Sequence, residues 1–313
     1  MTGTNTLVFR DEPIHQSSSR VIYWFGLDHF EPERALTSHF VSSRTLFFIR
    51  LPLVLYSLVV MWVDIIYAAK TGGLRHFFAY FTDLTFIGLH AYLVTTAYHH
   101  AKYLWPHQSS KRPSSFLDQH CVLNYAYVYL YHTIIVYNIQ TPVVFWALLA
   151  KEKLFDANLS PIDFWISISL HAVTLFILIV EVTFNRMILH INVILLVFST
   201  VLLYMCLTFI IFAVEGWWVY SFLDWSVGPS AFIWYLAISV FIILCFFLQV
   251  LLHKSRDYIA KRIVKKYHNT KKQLNQSNAD NEKNDKASEI SQTSNFEPLE
   301  STVIAGSYFD EAS

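Results

Sequence analysis

Six long apolar runs dominate residues 46–252, and they restrict the folds open to this chain more than any motif does. They cover Leu46–Ala68, Phe77–Ala97, Val122–Ala150, Ile162–Val182, Ile191–Val214 and Ala231–Leu252. A hydrocarbon core about 30 Å thick is crossed by roughly 20 mainly apolar residues in a helix, and each run has that length. Hydrocarbon offers the backbone no partners, so a spanning segment must satisfy its own hydrogen bonds. None of the runs alternates polar and apolar residues as barrel strands do, which leaves helices. With 54% hydrophobic and only 15% charged residues, a chain of this composition would aggregate in water. The expected fold is all-α: a polytopic membrane protein with six transmembrane helices in one bundle.

Aromatic residues near the ends of the runs (Tyr67, Tyr98, Trp105, Trp146, Trp217, Trp218, Trp234) suit the two bilayer interfaces. Residues 1–45 are polar and irregular and are expected to form a cytosolic N-terminal segment, with the first apolar run acting as a signal anchor. Residues 46–252 form the transmembrane domain. Residues 253–272 are a basic juxtamembrane segment (Lys254, Arg256, Lys261, Arg262, Lys265, Lys266, Lys271, Lys272). Such a stretch favours the cytosolic face and contact with anionic lipid, or serves as a plain topology signal. Residues 273–313, rich in Asn, Ser, Asp and Glu, are expected to be a disordered cytosolic tail. The formal net charge is zero, so nothing points to a nucleic-acid partner. Cys121, Cys206 and Cys245 sit in apolar contexts without pairing spacing and read as reduced thiols.

A cytosolic C-terminus and six spans put both termini in the cytosol. Arg34, Arg44, Lys102, Lys111, Arg112 and Arg186 then share that side with the basic segment, in keeping with the positive-inside rule. Asn158-Leu159-Ser160 becomes a glycosylation sequon on the opposite side. In this orientation the second and fourth runs enter from the outer face. Thr85 lies roughly 12 Å below it and His171 roughly 13 Å, at 1.5 Å per residue. On adjacent helices, a hydroxyl and an imidazole would meet at one depth. Taken singly, a threonine in such a helix usually bonds its own backbone carbonyl, whereas an intramembrane histidine is a functional candidate by default. Asp83 and His90, two turns apart on one face, are expected to form a polar clasp or part of the cavity. Glu181 is expected to join an inner polar cluster with Asn185 or Arg186.

Leu84-Thr85-Phe86-Ile87, the stretch from Trp165 to Glu181 around His171, and Glu215-Gly216-Trp217-Trp218-Val219-Tyr220-Ser221-Phe222-Leu223-Asp224 occur in this order. Over about residues 75–255 they resemble the androgen-induced gene family of membrane proteins, and in particular its fungal branch. A weaker echo lies at Phe25-Gly26-Leu27-Asp28. The resemblance implies a threonine hydrolase domain acting on esters of fatty acids with hydroxy fatty acids. It places the nucleophile at Thr85 and the catalytic histidine at His171, with Thr82 one turn earlier as a competitor. It also implies an endoplasmic reticulum membrane location, with the plasma membrane as alternative. One departure is Ile168, where the family has a second histidine.

Such chemistry needs no cofactor or metal. A threonine hydroxyl is a weak nucleophile until a base takes its proton, and His171 would be that base. The substrate would be a lipid ester arriving sideways from the bilayer. Ser167, Ser169, Asn124, Tyr129 and Asn138 are candidate oxyanion donors. The aromatic loop at 215–230 would cover the cavity mouth or act as an interfacial anchor. Two rival readings remain open: a non-enzymatic lipid-binding or transport protein, and a haem or metal protein using His90, His132 and His171 or the His99, His100, His107, His120 group.

Overall fold

The computed structural model describes residues 11–105, 115–154 and 159–293. Among them all regular structure is helical. Two short helices, α1 (Arg20–Phe25) and α2 (Pro32–Leu36), precede α3 (Ser43–Lys70). Next come α4 (Leu74–Phe77), α5 (Phe81–Leu104) and α6 (Cys121–Val144). Then follow α7 (Ala150–Leu154), α8 (Pro161–Ile168), α9 (Thr174–Phe184), α10 (Ile194–Glu215) and α11 (Ser230–Thr293).

Five stretches are both long and apolar enough to cross a membrane: Ser43–Lys70, Cys121–Leu149, Pro161–Phe184, Ile191–Glu215 and Ser230–Gln276. The remaining expected span falls on α5. Its 24 residues extend about 36 Å at 1.5 Å per residue, yet it stands outside that group. Asp83, His90, His99, His100 and Lys102 dilute its apolar character.

This polarity is tolerated because α5 is enclosed. It packs against both α3 and α6, and α6 in turn meets α9 and α10. The α6 stretch is the centre of the bundle, with 67% of its most apolar window buried, against 22% for α3 and 11% for α10. The outer helices turn Leu55, Trp62 and Ile66 of α3 and Leu203, Ile210 and Val214 of α10 outward. Apolar faces of this extent would be aggregation surfaces in water and suit contact with lipid.

Local sequence sets the helix ends. Ser42 caps α3, its Oγ accepting the Thr45 N–H at 3.1 Å. Ser160 does the same for α8 by accepting the Asp163 N–H at 3.2 Å, with Pro161 in the first turn where no N–H is needed. The first N–H of α5 has a tertiary partner instead: Phe81 N donates to Tyr220 Oη at 3.1 Å. Gly26 closes α1 at φ +69°, and a Cβ there would lie 2.4 Å from the His190 ring, so the position demands glycine on two counts.

Two long helices are each interrupted by a π turn. In α6 Pro142 withholds its N–H, and Phe145–Leu149 follow as a π turn in which Ala150 N reaches Phe145 O. Ser169–Val173 form the second π turn, between α8 and α9. Such turns are uncommon and gather at functional sites.

The largest fully buried side chain is Arg50. Its Nε and Nη2 donate to Glu181 Oε1 and Oε2, both at 2.8 Å, and Nη1 donates to Ala35 O at 2.8 Å. Tyr92 Oη adds a bond to Glu181 Oε2 at 3.0 Å. Glu181 therefore pairs with Arg50 and Tyr92, not with Asn185 or Arg186. Asn185 Oδ1 instead accepts from Arg256 at 2.9 Å, and Arg186 Nε donates to Thr37 Oγ1 at 2.9 Å. A bidentate guanidinium–carboxylate fork satisfies both ions, the condition under which a charge pair is tolerated away from water.

Described residues up to Ala260 form one compact unit and those from Lys261 a second. The helix of the second unit runs to Thr293, through the segment whose composition predicts disorder from residue 273. Lys, Gln, Glu and Ala in that segment are good helix formers. Asn158, His107, Lys111, Arg112 and residues 294–313 lie outside the described residues.

Candidate functional site

Thr85 sits in the second turn of α5, 7% exposed, and His171 in the π turn Ser169–Val173, 6% exposed. The two elements are in contact. Each side chain is nevertheless held by its own surroundings. The Thr85 hydroxyl donates to Thr82 O at 2.9 Å, the local bond expected of a threonine in a helix. The His171 imidazole stacks on Phe145, with ring centroids 3.7 Å apart and planes 9° apart. Among the described residues no hydrogen bond joins Thr85 to His171, and His171 Nδ1 is buried with no partner.

The stack brings the two π turns face to face, since Phe145 opens one and His171 lies in the middle of the other. Widening a helix by a residue displaces its side chains from the ordinary register, which is how a ring from each helix comes to lie flat on the other. His171 also lines an open groove with Pro142, Val143, Trp146, Ala147, Ala172 and Leu175. It is thus reached from the side of the bundle.

A second, more enclosed groove has Phe145 in its wall. Its walls come from α6 and α10, from the first turn of α5 and from α11, with Thr82 rather than Thr85 as the α5 hydroxyl facing it. Tyr220, Phe222 and Leu223 of the loop after α10 also line it. The loop therefore contributes to the wall of this groove and not to that of the groove beside His171. Tyr220 stacks on Phe222 at 5.2 Å, and burial pushes its phenol up to about 12, so it stays a neutral hydroxyl.

Four of the five candidate oxyanion donors are engaged elsewhere. Ser169 donates to Trp165 O at 2.7 Å, Asn138 to Ile134 O at 2.8 Å and Asn124 to Phe116 O at 3.0 Å, while Tyr129 pairs with Thr200. The Asp83–His90 clasp does not form: His90 Nδ1 lies 2.9 Å from Ser57 Oγ on α3. His99 is engaged with Ser115 at 2.7 Å and His100 lies between Arg50 and Ser43, while His132 meets Gln249 through Nδ1 and leaves Nε2 buried without a partner. Among the described residues no three of His, Cys, Asp or Glu converge as metal ligands. Cys121 and Cys206 are exposed, Cys245 is buried, and all three are free.

Sequence reasoning missed Arg50, Phe145 and Gln140. Arg50 had a signal, as the one cation within the first apolar run. Gln140 had a weaker one, as an amide deep in an apolar run, and Phe145 had none. No family model, no curated protein and no solved structure matches this chain.

Proposed function

We propose that this chain is an integral-membrane hydrolase of lipid esters, with α5 as its sixth crossing helix, Thr85 as nucleophile and His171 as base. The observation that carries the reading is the buried His171 ring: its Nδ1 has no partner, and its turn lies against the helix bearing Thr85. A polar atom left unpaired in an apolar interior is costly unless it has another use.

Rotation about χ1 releases the Thr85 hydroxyl from Thr82 O and turns it to the imidazole. Oγ attacks the ester carbonyl as its proton passes to His171. The tetrahedral intermediate collapses, the C–O bond to the alcohol breaks, and His171 returns the proton to that oxygen. Water then attacks the acyl-threonine, giving one proton to His171, and the fatty acid leaves as Thr85 Oγ is reprotonated. Phe145 fixes the plane of the ring throughout. The lipid arrives laterally, through the open groove beside His171. The chain is assigned to the endoplasmic reticulum membrane with both termini cytosolic, the plasma membrane being the alternative. The basic segment 253–272 then lies against anionic head groups.

Hydrolysis of lipid esters in membranes containing wild type, Thr85→Ala, His171→Ala or Thr82→Ala tests this. The first two variants are expected to lose activity by about a hundred- to ten-thousandfold, while Thr82→Ala retains it. Equal rates in wild type and the first two variants would end the proposal.

A non-enzymatic lipid-binding or transport role is the second reading, favoured by the Thr85 hydroxyl bonding its own helix and by Ile168 in place of a histidine. A lipophilic serine/threonine-directed probe separates the two. An adduct on wild type that disappears in Thr85→Ala belongs to the hydrolase.

A further inference from the structure

The enclosed groove contains one polar side chain that the fold leaves unused. Gln140 lines it, is 6% exposed, and its Oε1 is buried without a hydrogen-bond partner. The other polar groups of the groove are engaged, Thr82 by a hydrogen bond with Tyr220. Thr141 Oγ1 donates to Tyr137 O at 2.9 Å, Ser239 Oγ to Tyr235 O at 2.8 Å, and Tyr204 Oη to Ala79 O at 2.8 Å. Tyr235 Oη donates to Leu223 O at 3.3 Å, and Tyr220 Oη accepts the Phe81 N–H. Two hydroxyls therefore answer to their own helix turns and the others tie the groove walls together, but the Gln140 amide does neither.

The unpaired oxygen is an acceptor, so the group that satisfies it must donate, and the amide nitrogen beside it offers donors in return. The surrounding wall is almost wholly apolar: Phe81, Val144, Phe198, Val201, Met205 and Ile238 face the same space. Apolar walls with one convergent polar group are the usual form of a small-molecule site. We propose that this groove binds a single-chain lipid whose one polar group, a hydroxyl that both donates and accepts, is fixed by Gln140. The loop residues Tyr220 and Phe222 close over the chain. This rests on the lipid-handling part of the proposed function but not on the chemistry of Thr85 and His171.

The test uses the full-length protein in lipid nanodiscs and two photoreactive probes of equal chain length, a diazirine-bearing hexadecanol and its methyl ether. The ether keeps the chain and an acceptor but cannot donate. Saturation of crosslinking is expected at about tenfold lower concentration for the alcohol, the order of one buried hydrogen bond. Gln140→Leu is expected to capture both probes at the ether's concentration. Val201→Trp, which fills the groove, is expected to capture neither.

Equal capture of alcohol and ether by wild type overturns the proposal. So does a preference that survives in Gln140→Leu, or capture unchanged in Val201→Trp. The wild-type ratio decides even if Gln140→Leu fails to accumulate. The same ratio measured on Thr85→Ala separates the two ideas. Activity unaffected by Thr85→Ala with the ratio intact counts against the hydrolase alone; a lost ratio in an active wild type counts against the Gln140 site alone.

Discussion

The Arg50–Glu181 cluster and the surroundings of His171 and Gln140 bury polar groups to a similar depth, but they treat them in opposite ways. Around Arg50 the fold is saturated. Both carboxylate oxygens of Glu181 accept from the guanidinium, Tyr92 adds a further bond, and the remaining Arg50 nitrogen reaches Ala35 O and His100. Four parts of the chain, α2, α3, α5 and α9, are held at this point. Around His171 and Gln140 the fold leaves nitrogen and oxygen atoms without partners, beside grooves and a stacked ring. The first arrangement is what a bundle needs to stay assembled. The second is costly to assembly and makes sense where something else binds.

The contrast can be broken from either side. The largest expected effect is on activity alone: His171→Ala lowers lipid-ester hydrolysis by about a hundred- to ten-thousandfold, while its unfolding midpoint in detergent stays close to that of wild type. Next, Glu181→Leu strands the Arg50 charge and is expected to destabilise the protein by about 3–5 kcal/mol, read by denaturant titration in mixed micelles. Arg50→Met combined with Glu181→Leu recovers most of that loss, because no lone ion remains. A gentler cut, Tyr92→Phe, keeps the ring and deletes one bond to a charged group, for a cost of about 1.5–3 kcal/mol in the same titration. Smallest of all is Gln140→Leu, expected within about 1 kcal/mol of wild type or slightly above it, since no protein hydrogen bond is lost. A Gln140→Leu penalty as large as that of Glu181→Leu would erase the distinction between the two regions.

Much of the scaffold was readable before any coordinates. Apolar length alone located α3, α10 and the body of α11, because nothing but helix satisfies a backbone in hydrocarbon. It took no account of the polarity of α5, where His90 and His100 find their partners on α3, a fact of packing that no single run can reveal. The partner of Glu181 was also out of reach. A contact across 131 positions leaves no local trace, and Asn185 and Arg186 were merely the nearest polar residues in sequence. Thr85 and His171 stood out by depth and residue type. Phe145 did not, because its contact depends on two π turns, and no periodicity predicts where a helix will take on an extra residue. Gln140 was hidden for a similar reason: whether an amide is engaged or idle is decided by its neighbours.

Those inserted residues also act as gearing. A helix advances about 100° per residue, so the additional residue in Ser169–Val173 sets the rotation of all that follows in α9. Glu181 comes ten residues after His171, and it meets Arg50 only at that setting. Loss of a single residue from the turn would swing the carboxylate off its guanidinium as surely as it would unseat the imidazole from Phe145. One short coil thus times two distant engagements, like a keyed shaft, and neither can drift while the other holds.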